Sequence, residues 1–325
     1  MIKYIILLIL LKVSYDISYT KSTIKYRNGD ILVKKQSITT SILIYFIYIK
    51  NMLGTNNFLI NNLVQLNTTY ARKKWTTEFK APHELHKFGK QMQIQTEPWI
   101  WQKSYNNYTC VNDFFIRKYN KTSDIHPKKF FKKGSKYTLH SPAESKIIAF
   151  NSINESKQFW IKNNKFTLKK TGLPNYQDYL NHPIIIFRLE MYDYHRYHAP
   201  VSGKIIFFER IGANSSHSVQ PAALHNKWFN VFNTNKRVIM ILETRKGLIA
   251  LMFVGAVQVD SITFNKNIRV GHRLTKGKDM GTFQFGGSTV VLFSNFNIKI
   301  DADIIENSKK KQEYQVNCGE MIGCL

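Results

Sequence analysis

Beyond about residue 139 the chain is built from runs of β-branched and aromatic residues. IIIFRLEMYDYH (184–195), GKIIFFERI (203–211), RVIMILET (237–244), LIALMFVGAVQV (248–259) and STVVLF (288–293) follow one another, punctuated by Lys-Gly, Ser-Gly and Gly-Gly steps. They recur at roughly 10- to 15-residue spacing with no helical pattern between them, which predicts a mainly antiparallel β domain. Residues 52–110 are polar and aromatic, with a helical stretch expected around 83–93. The expected class is α+β, with helices preceding the β domain.

Composition narrows the partners. Lysine and arginine number 47 against 21 acidic residues, a net charge of +26 that attracts nucleic acid or acidic lipid. An excess of Asn, Lys, Ile and Tyr, as AT-rich coding produces, weakens that clue. No nucleic-acid fold signature accompanies the charge, which leaves lipid as the better partner. At 43% hydrophobic residues the chain supports a substantial core and is not a disordered type. Cys110, Cys318 and Cys324 form neither a disulfide framework nor a CxxC spacing.

The N-terminal end carries two short apolar runs, YIILLILL (4–11, after Lys3) and ILIYFIY (42–48), each too short to span a bilayer alone. Residues 1–50 read as a targeting or membrane-associating segment, with Met52 as an alternative start. Residues 51–110 read as a helical, membrane-facing region, and 111–325 as the β-rich domain that follows it. The sequons at Asn67, Asn107 and Asn120 matter only in a secretory lumen.

Several short stretches carry chemistry-bearing side chains. HELH (83–86) lacks the i, i+4 histidine pair of a zinc helix, because position 87 is Lys; a capped amphipathic helix is the better reading, and no metal is expected. KKFFKKGSK (128–136) reads as a solvated loop edge or as a membrane-surface patch, lysines on head groups and phenylalanines at the acyl boundary. The KKK run at 309–311 reads as an exposed loop. DYHRYHAPVSG (193–203) packs Asp193, His195, Arg196 and His198 into six residues before Pro200 and Gly203. Alone it is either a strand end with polar residues outward or a site; in an extended strand His195 and His198 point to opposite faces unless Pro200 bends the chain. GGST (286–289) alone is a turn, and SPAES (141–145) alone holds a solvated Glu144. Together they supply a carboxylate, a histidine and a serine, the minimum for an activated nucleophile.

With these segments side by side, the chain resembles the phosphatidylserine decarboxylase family. The family's R-L-x-x-x-D-Y-H-R-x-H-x-P-x-x-G segment is matched by Arg188-Leu189 through DYHRYHAPVSG, and its N-x-R-V and V-G-A-x-x-V-G-S-I strands by NKRVIMI (235–241) and VGAVQVDSI (254–262). Its K-G-x-E-x-G-x-F-x-F-G-G-S-T is matched by KGKDMGTFQFGGST (276–289), its F-x-x-F-F-x-R by VNDFFIRK (111–118), and its end by YQVNCGEMIG (314–323). The resemblance covers roughly residues 110–325.

It implies a pyruvoyl enzyme that makes its own cofactor by cleavage between Gly287 and Ser288, giving a β chain to residue 287 and an α chain from 288. His198 would act as base on the Ser288 hydroxyl, Glu144 would hold the imidazole and stabilise its cation, and the missing Cβ of Gly287 would give access to the scissile bond. Asp193, Arg196, Gly286 and Thr289 would support them. The pyruvoyl ketone would take the substrate amine as a Schiff base and accept electrons as carbon dioxide leaves, with His195 assisting at the carboxylate or in proton return. Phosphatidylserine in an anionic membrane surface is the implied substrate and phosphatidylethanolamine the product. The GGST form resembles the endomembrane (Golgi, endosome, ER) branch more than the mitochondrial inner-membrane one.

Two departures from the family pattern stand out. Its P-A-D-G is here Pro142-Ala143-Glu144-Ser145, and a misplacement of about 1 Å from the extra methylene costs a rate on the order of a hundredfold. Self-cleavage needs only one turnover, so a slow arrangement suffices. Asp260 replaces a family Gly, and nothing explains it. The alternative is an unprocessed, non-catalytic relative that binds anionic lipid.

Overall fold

The apolar runs at 184–189, 237–242, 249–255 and 288–294 become strands buried on both faces, whereas GKIIFFERI (203–211) is only partly buried. In the computed structural model, residues 21–26, 29–35, 100–159, 167–212, 231–255, 262–284 and 288–325 are described, with isolated positions between 69 and 90. In chain order the elements are β1 (Lys21–Lys25), β2 (Ile31–Lys35), α1 (Val111–Phe115), α2 (Pro127–Phe131), β3 (Thr138–His140), β4 (Ser145–Phe150) and α3 (Ile153–Phe159). Then come α4 (Leu168–Thr171), β5 (Ile184–Leu189), β6 (Arg196–His198), β7 (Gly203–Ile211), α5 (Val231–Thr234), β8 (Arg237–Glu243), β9 (Leu248–Gly255) and β10 (Ile262–Phe264). The chain ends with β11 (Arg273–Leu274), β12 (Asp279–Phe283), β13 (Ser288–Ser294), β14 (Lys299–Ile300), α6 (Ala302–Lys309), β15 (Glu313–Val316) and β16 (Met321–Cys324).

A ten-stranded sheet in the order β11-β7-β8-β9-β13-β5-β4-β15-β1-β2 forms the body, and the small sheets β10-β12-β6 and β14-β16-β3 accompany it. Every pairing is antiparallel except β1 with β15. Strand β13 shows why its sequence is apolar throughout. Val290 and Leu292 join a core with Phe187, Phe253, Tyr197 and Phe283, whereas Val291 and Phe293 join a second core with Ile186, Met252, Leu168 and Phe232. Small sheets and Ile304 of α6 cover one face; α4 and α5 cover the other. With both faces shielded, no polar alternation is required.

Class and strands agree with expectation: α+β, with more strand than helix among the described residues. Thr69, Lys73, Leu85 and Lys87 have helical backbone, while His83, Glu84 and His86 lie outside the described residues. Within residues 1–50, two strands form a hairpin on the edge of the main sheet, so part of that stretch belongs to the body. The KKFFKKGSK segment begins inside α2, which Pro127 opens and the His126 side chain caps. The KKK run closes α6, with Lys311 in a left-handed turn. Among the described residues no helix is long and apolar enough to cross a membrane.

Candidate active site

Ser288 opens β13, opposite Leu189 at the end of β5 and Gly255 at the end of β9. Pairing on both sides fixes its backbone, and period-two alternation aims its side chain into the layer that holds Val290, Leu292 and Leu189. It is fully buried, and its Oγ has no hydrogen-bond partner among the described residues. A buried hydroxyl in that state costs on the order of 1–3 kcal/mol, which folding alone does not explain. Phe285, Gly286, Gly287 and Asp260 lie outside the described residues.

Asp193 and His195 occupy the turn between β5 and β6. Asp193 is fully buried rather than outward-facing, and both its oxygens accept from Lys146 Nζ at 2.7 Å while Oδ2 also accepts from the Glu190 amide at 2.6 Å. Burial pushes its carboxyl up and Lys146 pulls it back. The Asp193 carbonyl accepts from His195 Nδ1 at 2.8 Å, so the neutral ring carries its proton there and presents Nε2 as the basic atom. Arg117 clamps the same turn, donating to the carbonyls of Tyr192 at 2.8 Å and Asp193 at 3.3 Å. The His195 ring packs on Phe115 with centroids 3.8 Å apart.

His198, at the end of β6, sits in a different aromatic setting. Its Nδ1 donates to the Gly277 carbonyl at 3.0 Å, and Tyr194 OH lies 3.3 Å from Nε2. The backbone carbonyl of Gly277 therefore sets the tautomer, the task expected of Glu144. Burial holds the imidazole below its usual range, against the opposing pull of Asp279, its register partner on β12. Asp279 in turn is paired with Arg196 at 3.0 Å. Glu144 accepts a 2.6 Å hydrogen bond from Tyr119 OH, whose proton is held by burial and by the carboxylate itself. The Tyr119 ring packs tilted against Tyr194, centroids 4.7 Å apart, so two tyrosines link Glu144 to His198.

The structure thus gathers Glu144, Tyr119, Tyr194 and His198 into one cluster and places His195 on a different aromatic neighbour, as opposite faces of an extended strand require. Pro200 does not fold the two rings together. Thr289 is buried, and its Oγ1 also has no partner among the described residues. Next to the cluster lies a cavity of about 770 Å³ whose lining runs from Lys133 and Met321 to Arg117, Tyr119, Glu144 and Asp193. Among the described residues no His, Cys, Asp or Glu group is arranged to hold a metal ion.

Residues 111–324, from α1 through β16, match the family model described as phosphatidylserine decarboxylase. The chain belongs to the phosphatidylserine decarboxylase family. It is 36% identical over 221 residues to the phosphatidylserine decarboxylase proenzyme 2 of Oryza sativa, covering 67% of this chain and 34% of that one. It is 34% identical over 265 residues to the proenzyme of Fusobacterium nucleatum, covering 79% of this chain and 83% of that one. A proenzyme 2 of Komagataella phaffii is 34% identical over 225 residues, which cover 67% of this chain and 22% of the relative. The chain thus spans about a third or less of its rice and yeast relatives, and most of the bacterial one.

Set against the phosphatidylserine decarboxylase pattern, the structure adds residues that the sequence did not single out. Tyr119, Tyr194, Lys146, Arg117 and Asp279 all reach the site. Tyr194, Arg117 and Asp279 lie inside quoted family segments, and Asp279 stands where the family carries Glu. The signal for Tyr119 and Lys146 is pairing across the sheet and across loops, which local spacing does not carry.

Proposed function

We propose that this chain cuts itself between Gly287 and Ser288 and then decarboxylates phosphatidylserine to phosphatidylethanolamine and carbon dioxide. The observation that carries this reading is Ser288 itself: a fully buried serine, held on both sides by strands, whose hydroxyl has no partner among the described residues. A pyruvoyl group formed from Ser288 fits, since it occupies the serine's own place beside Gly255, which brings no side chain. That group supplies an electron-accepting ketone for the loss of the substrate carboxylate.

The chain's own residues have these roles. The Ser288 hydroxyl attacks the Gly287 carbonyl while His198 Nε2 accepts its proton, replacing the long contact to Tyr194. The Gly287–Ser288 C–N bond breaks as the ester forms, and the freed Ser288 nitrogen takes a proton. Then β-elimination releases the Gly287 carboxylate, and water displaces the nitrogen as ammonia. Asp279 favours the imidazolium that results, and Glu144 holds Tyr119, whose ring meets that of Tyr194, the neighbour of His198 Nε2. His195, fixed by the Asp193 carbonyl, handles the proton returned to the product. Arg196 anchors Asp279, and Gly286 and Thr289 flank the cut. The fragments stay together because β13, on the new α chain, lies between β9 and β5 of the β chain.

The substrate comes from a membrane. Lys128, Lys129, Lys132, Lys133 and Lys136 are exposed around α2, and Phe130 and Lys133 lie at the cavity that leads toward Asp193. The GGST form and the apolar run at 4–11 support an endomembrane location; nucleic acid is not the partner.

A second reading, an unprocessed lipid-binding relative, is favoured by one observation: among the described residues Glu144 is bonded to Tyr119 and not to a histidine. Release of labelled carbon dioxide from carboxyl-labelled phosphatidylserine vesicles separates the two. Release by the parent chain and none by Ser288→Ala supports the enzyme. Vesicle binding with no release from either supports the relative.

A further inference from the structure

Phe131 ends α2 and is buried, whereas Lys128 and Lys129 of the same short helix are exposed. Its ring lies in a slot between two glycines in left-handed turns. A Cβ on Gly277 (φ +80°) would stand 2.8 Å from Phe131 Cγ, and one on Gly319 (φ +85°) 2.7 Å from its Cδ2. Real Cβ atoms do not approach so closely, so glycine is required at both positions for the ring to sit there.

The carbonyls of those same glycines each hold a histidine. Gly277 accepts from His198 Nδ1 at 3.0 Å, and Gly319 accepts from His140 Nδ1 at 2.7 Å. Phe131 also packs on both imidazoles, with centroids 5.8 Å from His198 and 5.5 Å from His140, each at 33°. One ring therefore braces two turns and covers both histidines. Phe131 makes no hydrogen bond and cannot take part in proton transfer, so any influence it has runs through position.

We propose that Phe131 is a positioning residue for His198: by filling the slot it keeps the Gly277 carbonyl on Nδ1 and so leaves Nε2 as the basic nitrogen. This rests on the reading of His198 as the base for self-cleavage. Gly277 belongs to the turn before β12; its amide donates to Ala199 at 2.8 Å, its carbonyl shares a peptide group with the Lys278 N–H, which donates to Thr275 at 3.0 Å, and the Phe131 ring bears on the turn from the side of the Gly277 Cα. Water entering the emptied slot would relieve the burial that depresses the imidazole, the largest influence on it, and this outweighs the opposite effect of losing the Gly277 hydrogen bond. The other groups that bear on His198 charge are Asp279 and Arg196 from the β12–β6 pair, Lys128 of α2 and its cap His126, and Tyr194 in the turn before β6. None of them is changed by replacing Phe131.

The test is the cleavage rate of the freshly synthesised full chain against pH, for the parent, Phe131→Ala and Phe131→Leu. The ¹⁵N signals of His198 are read in the same chains. Phe131→Ala should slow cleavage on the order of tenfold to a hundredfold, move the acid limb of the profile upward, and lose the Nδ1-protonated signal. Phe131→Leu, which refills most of the slot, should recover much of all three. Unchanged rate and limb in Phe131→Ala would overturn the proposal. So would slower cleavage with an unmoved limb and an unchanged Nδ1–H signal, the signature of a merely weakened fold. If the parent does not cleave at all, the reading of Ser288 and His198 fails, and the ¹⁵N signals still decide the positioning claim by themselves.

Discussion

Lys146→Met should be among the most damaging single substitutions in the β domain. The Lys146 and Asp193 side chains are both fully buried, and Nζ reaches both carboxylate oxygens at 2.7 Å. The ammonium also lies 4.2 Å from the centre of the Tyr192 ring. Removing it leaves a buried carboxylate whose remaining donor is the Glu190 amide. Breaking a buried pair from one side costs about 3–5 kcal/mol, whereas removing both charges costs far less. The double variant Lys146→Met/Asp193→Asn should therefore be more stable than Lys146→Met alone, with a coupling of about 2 kcal/mol or more.

The pH dependence follows from burial, which raises the Asp193 carboxyl, and from Lys146, which lowers it. Without Lys146 the carboxyl rises further. A carboxyl raised on folding favours the native state while protonated and loses that advantage as pH climbs through its folded value. The deficit of Lys146→Met should thus be small near pH ~4 and grow toward pH ~8. Urea unfolding in a Ser288→Ala background, where a single chain is unfolded, reads the free energies from midpoint and slope. A loss under about 1 kcal/mol, or strict additivity in the cycle, would refute the claim that the pair holds the His195 turn.

Two further outcomes are expected. Tyr119→Phe removes the 2.6 Å hydrogen bond to Glu144 and should cost about 1.5–3 kcal/mol while slowing cleavage; Glu144→Gln should lose little more once Tyr119 is already Phe, and independent losses would show that the two do not act as a unit. Replacing Lys132, Lys133 and Lys136 by Glu should weaken binding to anionic vesicles most at low salt and leave cleavage untouched, and equal binding by parent and variant at low salt would remove α2 from the membrane surface.

The sequence revealed strands more readily than contacts. IIIFRL, RVIMILE and STVVLF are legible as strands because both their faces are covered and their apolar stretches IIIF, VIMIL and VVLF run unbroken. Ser288, Asp193, His195 and His198 are legible because their spacing is local. Lys146 and Asp193 are 47 residues apart, and Arg188 and Glu313, whose guanidinium and carboxylate meet at 2.6 Å, are 125 apart. No periodicity encodes such pairs; sheet order creates them. The hairpin of β1 and β2 was hidden for a related reason, since its role is to extend an edge supplied by β15 near the other end of the chain. Glu144 was legible as a carboxylate near the site, but its partner was not, because Tyr119 reaches it from a separate segment. Asp260 lies outside the described residues, and its departure from the family Gly has no structural account.

Self-cleavage at Ser288 is tested most directly by the intact mass of the purified chain. Two fragments should be found, one ending at Gly287 and one comprising residues 288–325 with a blocked N-terminus that reacts with carbonyl reagents, while Ser288→Ala stays whole. A parent chain of a single uncleaved mass, with a serine at position 288, would contradict the account.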